Sequence, residues 1–215
     1  MRKVDKSRIV QMNNNPGYLI VKRVMDITCS IFGLLILSPV FLIVSFLIWK
    51  EDGGPVIFTQ ERNGINNCVF KMYKFRSMIK NAPNMRQELS EFNKLDGPAF
   101  KMKNDPRITK VGAFIRKTSI DELPQLLNVI KGDMSLIGPR PLPTYETAEC
   151  DEYQLQRLLV RPGLSCYWQI LGRNDISFDE WMEMDLDYIE EASVITDLKI
   201  LLLTAKAVLS GKGAY

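Results

Sequence analysis

The sequence predicts an α+β protein that is mostly helical and in which a compact domain follows an apolar segment. Three observations lead to this fold class. Residues 27–49 contain no charged side chain, and a transmembrane helix needs roughly 20 such residues. Two strand-like patterns flank the turn signal Asn63-Gly64, and helical patterns account for most of the remainder. The chain of 215 residues thereby divides into a basic arm (1–26), the apolar segment (27–49) and one domain of ordinary size (50–215).

The apolar segment is interrupted at its centre by Ser38-Pro39. Proline removes a backbone donor and clashes with the preceding turn, which costs roughly 3 kcal/mol or kinks the helix. The half before this break reaches only about 18 Å, whereas the core of a bilayer is roughly 30 Å thick. Two topologies agree with these facts, a kinked spanning helix and a re-entrant helix that enters and leaves on one side. In the second, the Ser38 hydroxyl can bind a carbonyl that Pro39 leaves unpaired.

Charge and cysteine content bear on the compartment that holds the domain. The arm carries an excess of basic residues, which favours a cytoplasmic N-terminus. These residues are Arg2, Lys3, Lys6, Arg8, Lys22 and Arg23. The cysteines at positions 29, 68, 150 and 166 show no paired spacing, which is typical of a reducing compartment. If both ends of the chain are cytoplasmic, the apolar segment must be re-entrant.

Composition excludes several kinds of chemistry. The chain contains no histidine, which rules out a histidine general base, a Ser-His or Cys-His nucleophile and a histidine-ligated zinc site. A net charge of +3 without a dense basic run argues against nucleic acid as a partner. Acid–base work therefore falls to Asp, Glu, Lys, Tyr or Cys.

Periodicity and turn signals predict the elements of the domain. Strands are expected at 55–60, 69–75, 99–103 and 164–170. Helices are expected at 83–95, 108–117, 124–131, 144–159, 177–191 and 194–209. The third of these helices has Pro124 near its start and Gly132 past its end, and Ser177-x-x-Glu180 matches a capping box. The last helix is expected to pack on the core with some contact to the membrane interface.

Asp121 and Glu122 are the strongest candidates for chemistry. They lie between Arg116 and the run Gly138-Pro139-Arg140-Pro141, so two guanidinium groups accompany two carboxyl groups. A carboxylate can form a covalent intermediate with a phosphoryl group when fixed cations neutralise the incoming phosphate. The alternative is structural, because Ser119-x-x-Glu122 also matches a capping box. In either case the acids begin a helix, where free amides favour anions.

A second acidic pair, Asp185-Leu186-Asp187, has the spacing with which many glycosyltransferases bind a divalent metal. It falls inside a helical pattern, which directs the two carboxylates away from each other. The motif therefore carries little weight as a metal site.

A series of motifs follows in order from about residue 22 to the C-terminus. They include Lys74-Phe75-Arg76-Ser77-Met78, Asn104-Asp105-Pro106-Arg107-Ile108-Thr109, Arg116-Lys117-Thr118-Ser119-Ile120-Asp121-Glu122-Leu123-Pro124-Gln125, Gly132-Asp133-Met134-Ser135-Leu136-Ile137-Gly138-Pro139-Arg140-Pro141, Arg161-Pro162-Gly163, Gly172-Arg173-Asn174 and Asp197-Leu198-Lys199-Ile200. Together they resemble the bacterial sugar transferase family, the monotopic polyprenyl-phosphate phosphoglycosyl transferases. The resemblance implies a re-entrant helix broken at Ser38-Pro39. It also implies a place in the bacterial cytoplasmic membrane, with the catalytic domain on the cytoplasmic face.

The activity that the resemblance implies is transfer of a sugar 1-phosphate from a UDP-sugar to undecaprenyl phosphate, with release of UMP. This would be the first membrane step of surface glycan assembly. Asp121 would be the nucleophile on the sugar-linked phosphate, and Glu122 its acidic partner. Mg²⁺, in contact with Asp121, would neutralise the diphosphate.

The resemblance also marks six side chains as candidates for substrate binding. They are Arg116, Arg140, Arg173, Asp197, Lys74 and Arg76. Arg116 and Arg140 match positions that hold phosphate, which suits bidentate guanidinium chemistry. Arg173 and Asp197 match functional positions to which we assign no role. For the other two, solvation on a strand surface remains an alternative to substrate binding.

The expected partners are a UDP-sugar, undecaprenyl phosphate and membrane lipid, with a homodimer as a candidate assembly. The run Gly97-Pro98-Ala99-Phe100-Lys101 resembles hexose-type members, which favours galactose or glucose. Larger members carry additional N-terminal membrane spans, and we expect this chain to be the minimal catalytic unit. Two other functions stay open. One is a membrane-associated nucleotide-sugar pyrophosphatase, which needs no polyprenyl acceptor, and the other is a catalytically inactive membrane-tethered interaction protein.

Overall fold

The computed structural model describes residues 6–82, 84, 85, 102, 105–171 and 176–210. This part is mostly helical with two small sheets, in agreement with the predicted fold class. Its first helices and strands are α1 (Pro16–Ile36), α2 (Ser38–Asp52), β1 (Ile57–Asn63), β2 (Val69–Phe75), α3 (Lys110–Lys117), α4 (Gln125–Lys131) and β3 (Ser135–Ile137). They are followed by α5 (Thr144–Thr147), α6 (Glu152–Leu155), β4 (Gly163–Ser165), α7 (Tyr167–Leu171), α8 (Phe178–Glu191) and α9 (Val194–Ser210). Short 3₁₀ helices cover Ile65–Asn67, Ile120–Glu122 and Gln156–Leu159.

The apolar segment forms two helices that are bent by 61°. The break lies at Leu37, directly before Ser38-Pro39, as the proline predicts. The Ser38 hydroxyl donates to the carbonyl oxygen of Leu35 at 2.8 Å, so the side chain satisfies an acceptor at the break. Among the described residues, no single helix has the length and hydropathy to span a bilayer, whereas the bent pair meets both criteria together.

Helix α1 begins earlier than the charge-free run, because Asn15 accepts hydrogen bonds from the first amides and Pro16 opens the first turn. It therefore contains the basic residues of the predicted arm that lie closest to the apolar segment. Apolar side chains on both helices remain exposed. They include Leu19, Ile20, Val24, Ile31, Phe32, Leu35, Ile36, Leu42, Ile43, Phe46 and Trp49.

The preceding part of the arm lies on the domain. Lys6 pairs with Asp151 at 2.7 Å, and Arg8 pairs with acidic residues of α8. The side chain of Val10 is buried in the main core. Residues 6–15 are therefore packed against helices of the domain.

Strands β1 and β2 form an antiparallel hairpin, with Ile57 opposite Phe75 and Asn63 opposite Val69. This confirms the two strands predicted around Asn63-Gly64, although the first extends to Asn63. Helix α2 packs beneath the hairpin, where Val44 and Ile48 share a core cluster with Phe75. The hairpin is thereby joined to the second half of the bent pair.

Strands β3 and β4 are parallel and bring two glycines together. A Cβ atom on Gly138 would lie 2.5 Å from the carbonyl oxygen of Arg161, and one on Gly163 would lie 2.1 Å from the amide of Gly138. Only glycine fits at both positions, since real side-chain atoms do not approach so closely. This contact explains why the runs Gly138-Pro139-Arg140 and Arg161-Pro162-Gly163 occur together, and it fixes the loop that carries Arg140.

Two predicted elements are wrong. The helix expected at 144–159 is divided into α5, α6 and a 3₁₀ turn, because Asp151 starts a new helix with a capping box to Gln154. The strand expected at 164–170 is mostly helix α7, which follows a short β4. The helices predicted at 108–117, 124–131, 177–191 and 194–209 are confirmed with shifts at their ends. The helix at 83–95 and the strand at 99–103 lie outside the described residues, apart from positions 84, 85 and 102.

Candidate active site

The acid pair lies in the 3₁₀ turn that leads into α4. Ser119 precedes this turn with a left-handed backbone (φ 58°) and forms no side-chain cap. The capping-box alternative for Ser119 and Glu122 is therefore wrong. The turn directs the Glu122 side chain towards cations on other elements instead.

Glu122 is held by two cations. Its carboxylate accepts a hydrogen bond from Lys74 Nζ at 2.7 Å and from Arg140 Nη2 at 2.5 Å. Gln169 Nε2 lies 3.4 Å from the other carboxylate oxygen. Burial alone would raise the pKa of Glu122, but the charges and hydrogen bonds of Arg140 and Lys74 outweigh it and hold this pKa well below its usual range. Glu122 is thus a fixed anion in a cationic site.

Asp121 has a different environment. Its side chain is buried, and none of the described residues donates a hydrogen bond to it. Burial, followed by the charge of Glu122, raises the pKa of Asp121 to about 6, although Lys74, Arg116 and Arg140 act in the opposite direction. The carboxylate form therefore predominates at neutral pH, and no residue in the described part of the chain donates a hydrogen bond that would reduce its nucleophilicity.

Besides Arg140, two of the predicted basic residues lie at the acid pair and one does not. Lys74 contacts Glu122 directly, and Arg116, in the last turn of α3, is close enough for its charge to lower the pKa of Asp121. Arg76 instead donates to the carbonyl oxygen of Gly53 and lies 3.3 Å from Asp52. It joins β2 to the end of α2, which gives it a structural contact outside the acid pair.

A buried ion pair, Arg157 with Asp185, holds the backbone of Arg140. Arg157 donates to the carbonyl oxygen of Arg140 at 2.5 Å and pairs with Asp185. The guanidinium group of Arg140 lies 5.8 Å from the centre of the Trp168 ring, which stacks on Trp181 at 4.7 Å. These contacts restrict Arg140 to the side of the site where it meets Glu122.

The acidic pair Asp185-Leu186-Asp187 does not form a metal site. Asp185 is buried against Arg157, whereas Asp187 accepts a hydrogen bond from Arg8 at 2.8 Å on another face of α8. Among the residues that the structure describes, no group of three or more His, Cys, Asp or Glu side chains is arranged to hold a metal ion.

Asp197 lies in a separate buried cluster. Its carboxylate accepts from Lys22 Nζ at 2.9 Å, from Tyr18 at 3.1 Å and from Tyr188 at 2.8 Å. These contacts join α9 to α1 and α8, so Asp197 connects three helices. Arg173 lies outside the described residues.

Two residues of the site were not selected from the sequence. Gln169 was missed because its segment was predicted as a strand. Arg62, near the end of β1, lies close enough to Arg140 and Glu122 for their charges to act on it. Its position in Gln60-Glu61-Arg62 before a turn gave no sign of burial, because strand alternation alone does not show which face is covered.

Comparison with known proteins identifies the family of this chain. The model of the bacterial sugar transferase family matches residues 17–211. The chain belongs to the bacterial sugar transferase family. The match includes the acid pair, the hairpin with Lys74 and the loop with Arg140, so all three are parts of one family domain.

Three similar proteins have names that state an activity or a process. A galactosyl transferase, CpsE, of Streptococcus agalactiae serotype III is 50% identical over 201 residues, which are 92% of this chain and 44% of that protein. An undecaprenyl-phosphate galactose phosphotransferase of Salmonella typhimurium is 45% identical over 204 residues, 91% of this chain and 42% of that protein. The exopolysaccharide production protein ExoY of Rhizobium meliloti is 40% identical over 201 residues, 90% of this chain and 88% of that protein. The chain thus spans less than half the length of the first two relatives and most of the third.

Proposed function

We propose that this protein transfers a sugar 1-phosphate from a UDP-sugar to undecaprenyl phosphate and releases UMP. The observation that carries the proposal is the contrast between the two acids. Glu122 is paired with Lys74 and Arg140, whereas no described residue donates a hydrogen bond to the buried Asp121 carboxylate. One acid therefore holds cations in place and the other is available as a nucleophile. The names of the relatives support the same reaction class.

In the first step, a carboxylate oxygen of Asp121 attacks the phosphorus that carries the sugar. The phosphoanhydride bond breaks, and its electron pair leaves with UMP. An acyl phosphate then links Asp121 to the sugar phosphate. In the second step, an oxygen of the lipid phosphate attacks the same phosphorus, and the bond to Asp121 breaks, which regenerates the carboxylate and yields undecaprenyl-diphospho-sugar. Lys74, Arg140 and Arg116 supply positive charge where the phosphoryl oxygens become more negative.

The residues of the site fit a magnesium ion. Mg²⁺ is usually bound through one or two carboxylates together with substrate phosphates. Of the two acids, Asp121 is the one to which no described Lys or Arg side chain donates a hydrogen bond. Asp121 would therefore hold the ion together with the diphosphate of the substrate. When bound, Mg²⁺ would neutralise charge on the diphosphate.

The fold supports a membrane location for this reaction. Arg23 of α1 donates to the carbonyl oxygens of Val129 and Ile130 at 2.7 and 2.8 Å, at the end of α4. Because α4 follows the acid pair, the bent helices and the acids are joined through one short helix. Exposed apolar side chains cover α1 and α2 and recur on α9 at Ile195, Leu198, Leu202 and Leu203, and surfaces of this kind enter lipid. We propose that the bent pair is re-entrant and that the domain faces the cytoplasm.

We further propose that the sugar is galactose or glucose and that the reaction is the first membrane step in assembly of a surface polysaccharide. Two of the relatives are named for galactose and one for exopolysaccharide production. A screen of UDP-sugars for UMP release in the presence of undecaprenyl phosphate identifies the donor. Preference for an acetamido sugar would contradict this choice.

The decisive experiment omits the lipid acceptor. Incubation with the UDP-sugar and Mg²⁺ should release UMP in a burst of at most about one equivalent per active site, because the acyl phosphate accumulates. The intact mass should increase by one sugar phosphate, located on a peptide that contains Asp121. Addition of undecaprenyl phosphate should discharge the label into lipid. The Asp121→Asn variant is the matched control and should show neither burst nor adduct.

Two results would contradict the proposal. Continuous release of UMP without lipid indicates a pyrophosphatase that uses water as the acceptor. Intersecting double-reciprocal lines without an adduct indicate direct transfer in a ternary complex. Parallel lines and a single burst support the two-step reaction.

A further inference from the structure

Arg62 is a basic side chain of the site that is held against the loop of Arg140. Its Nη1 donates to the carbonyl oxygen of Pro141 at 2.8 Å, and its Nη2 donates to Gln60 at 2.6 Å. A β-bridge also joins Arg62 to Pro143. The guanidinium group is therefore fixed beside the residues that follow Arg140.

One donor of this guanidinium group lacks an acceptor among the described residues. The Nε of Arg62 is buried and makes no hydrogen bond within the described part of the chain. Glu122 does not provide the missing acceptor, because Lys74 and Arg140 already share it. The charge of the buried Glu146 acts on Arg62, but Glu146 does not accept a hydrogen bond from the Nε of Arg62. A buried donor of a charged group that stays unpaired is costly.

The cations around Arg62 also repel one another. Burial and the charge of Arg140 lower the pKa of Arg62 to about 10. Burial, Arg140 and Arg62 likewise lower the pKa of Lys74, although Glu122 opposes them. Arg62, Lys74 and Arg140 thus repel one another, although Glu122, Asp121 and Glu146 offset part of their charge. A phosphate that entered beside Arg62 would reduce this repulsion further.

We propose that Arg62 is a substrate-binding residue whose Nε–H donates to a phosphate oxygen in this site. The proposal rests on the proposed function, in which two substrates bring the same chemistry: the diphosphate of the UDP-sugar and the phosphate of the polyprenyl acceptor. Arginine suits this role because its planar guanidinium group binds phosphate oxygens in a fixed geometry. The bond to Pro141 keeps Arg62 in register with Arg140, so both guanidinium groups can serve one phosphate site.

Binding of UDP, a diphosphate that carries no sugar to transfer, tests this role without turnover. The variants are Arg62→Gln, which removes the charge, and Arg62→Lys, which keeps it. Lys71→Gln is the matched control, because Lys71 is exposed on the same hairpin. If the diphosphate is the ligand, Arg62→Gln should weaken UDP binding by about 10-fold or more, since a hydrogen bond to a charged group is lost. Arg62→Lys should retain part of the affinity, and the control all of it.

Steady-state kinetics with both substrates distinguishes the two phosphates. In a two-step reaction, kcat/KM for the UDP-sugar reports the first step and kcat/KM for undecaprenyl phosphate reports the second. A selective loss for the UDP-sugar assigns Arg62 to the diphosphate, and a selective loss for the lipid assigns it to the acceptor phosphate. Either result supports the proposal.

A purely structural role for Arg62 predicts a different outcome. UDP affinity and both kcat/KM values would then be unchanged, or would fall together with the melting temperature and equally in Arg62→Gln and Arg62→Lys. Such a result overturns the proposal. If the wild-type protein released no UMP at all, the proposed function would fail, whereas the UDP-binding arm would still report on Arg62 by itself.

Discussion

Replacement of Glu122 by glutamine should destabilise the protein, because Glu122 is the shared acceptor of two partly buried cations. The carboxylate lies 2.7 Å from Lys74 and 2.5 Å from Arg140, and its side chain is 14% exposed. Removal of one partner from a buried ion pair costs about 3–5 kcal/mol, since the remaining charge is left uncompensated. Water reaches Arg140, whose side chain is 23% exposed. We therefore expect a decrease in the free energy of unfolding of about 3 kcal/mol, at the lower limit.

The effect should depend on pH in one direction. The ion pairs hold the pKa of Glu122 below its ordinary value of 4.5. The stabilisation is therefore fully present above about pH 4.5 and is lost as the pH falls through the pKa of the folded state. The difference in stability between wild type and Glu122→Gln should be constant near neutral pH and should shrink in acid.

Thermal unfolding in detergent, followed by circular dichroism, measures this difference. For a chain of this size about 2–4 °C corresponds to 1 kcal/mol, so the melting temperature should fall by roughly 6–12 °C. Glu149→Gln is the matched control, because it makes the same chemical change at an exposed turn. Equal melting temperatures for wild type and Glu122→Gln at neutral pH would refute the assignment of Glu122 as the anchor of both cations. A difference that does not shrink in acid would refute its electrostatic origin.

Three further predictions concern turnover, pH and topology. Asp121→Asn should abolish UMP release, because an amide forms no acyl phosphate. Glu122→Gln should retain a trace of activity, about 10²–10⁴-fold below wild type. Similar residual rates in both variants would contradict the assignment of Asp121 as nucleophile and Glu122 as its acidic partner. Burial raises the pKa of Asp121 to about 6, and the charge of Arg116 acts in the opposite direction. Arg116→Gln should therefore move the acidic limb of the pH profile of kcat/KM to higher pH. An unmoved limb would contradict this effect of Arg116 on Asp121. A cysteine added at the N-terminus should not react with an external reagent, because residues 6–15 pack on the domain that we place in the cytoplasm. External labelling would show that the re-entrant topology is wrong.

Elements that are closed by local hydrogen bonds were predictable from the sequence. Helix α8 begins with the capping box of Ser177 and Glu180, and both of its hydrogen bonds are formed. Helix α4 ends at Lys131 and is capped by Gly132, whose φ of 94° is in the left-handed region. Signals of this kind lie within four residues of the helix end, so they do not depend on the rest of the fold.

Elements that depend on distant contacts were not predictable. The aromatic run around Trp168 has high strand propensity, yet Trp168 lies in a helix and stacks on Trp181 of α8. Ser119 and Glu122 have the spacing of a capping box, but the side chain of Glu122 reaches Lys74 and Arg140 instead. In both cases a partner from another element decides the conformation, and the local pattern contains no information about that partner.

The candidate site was predictable only to the extent that its residues occur in recognisable runs. Asp121, Glu122 and Arg140 belong to such runs, and the structure brings them together. Arg62 and Gln169 reach the same place through the hairpin and through α7, which no spacing in the sequence relates to the acid pair. Their proximity results from the close contact of β3 with β4 and from the packing of the hairpin on α4.

The charges that flank the apolar segment have a different role from the one that topology rules give them. Lys22 is bound to Asp197, Arg23 to carbonyl oxygens of α4, and Asp26 to the amide of Leu136 and the hydroxyl of Ser135. Charges that are satisfied inside the protein do not interact freely with lipid headgroups, so they contribute little to orientation in the membrane. The same contacts hold α1 to β3, α4 and α9, and α4 follows the acid pair directly. In the proposed re-entrant topology, the depth of α1 in the membrane would therefore set the distance between Asp121 and the phosphate of the proposed lipid acceptor.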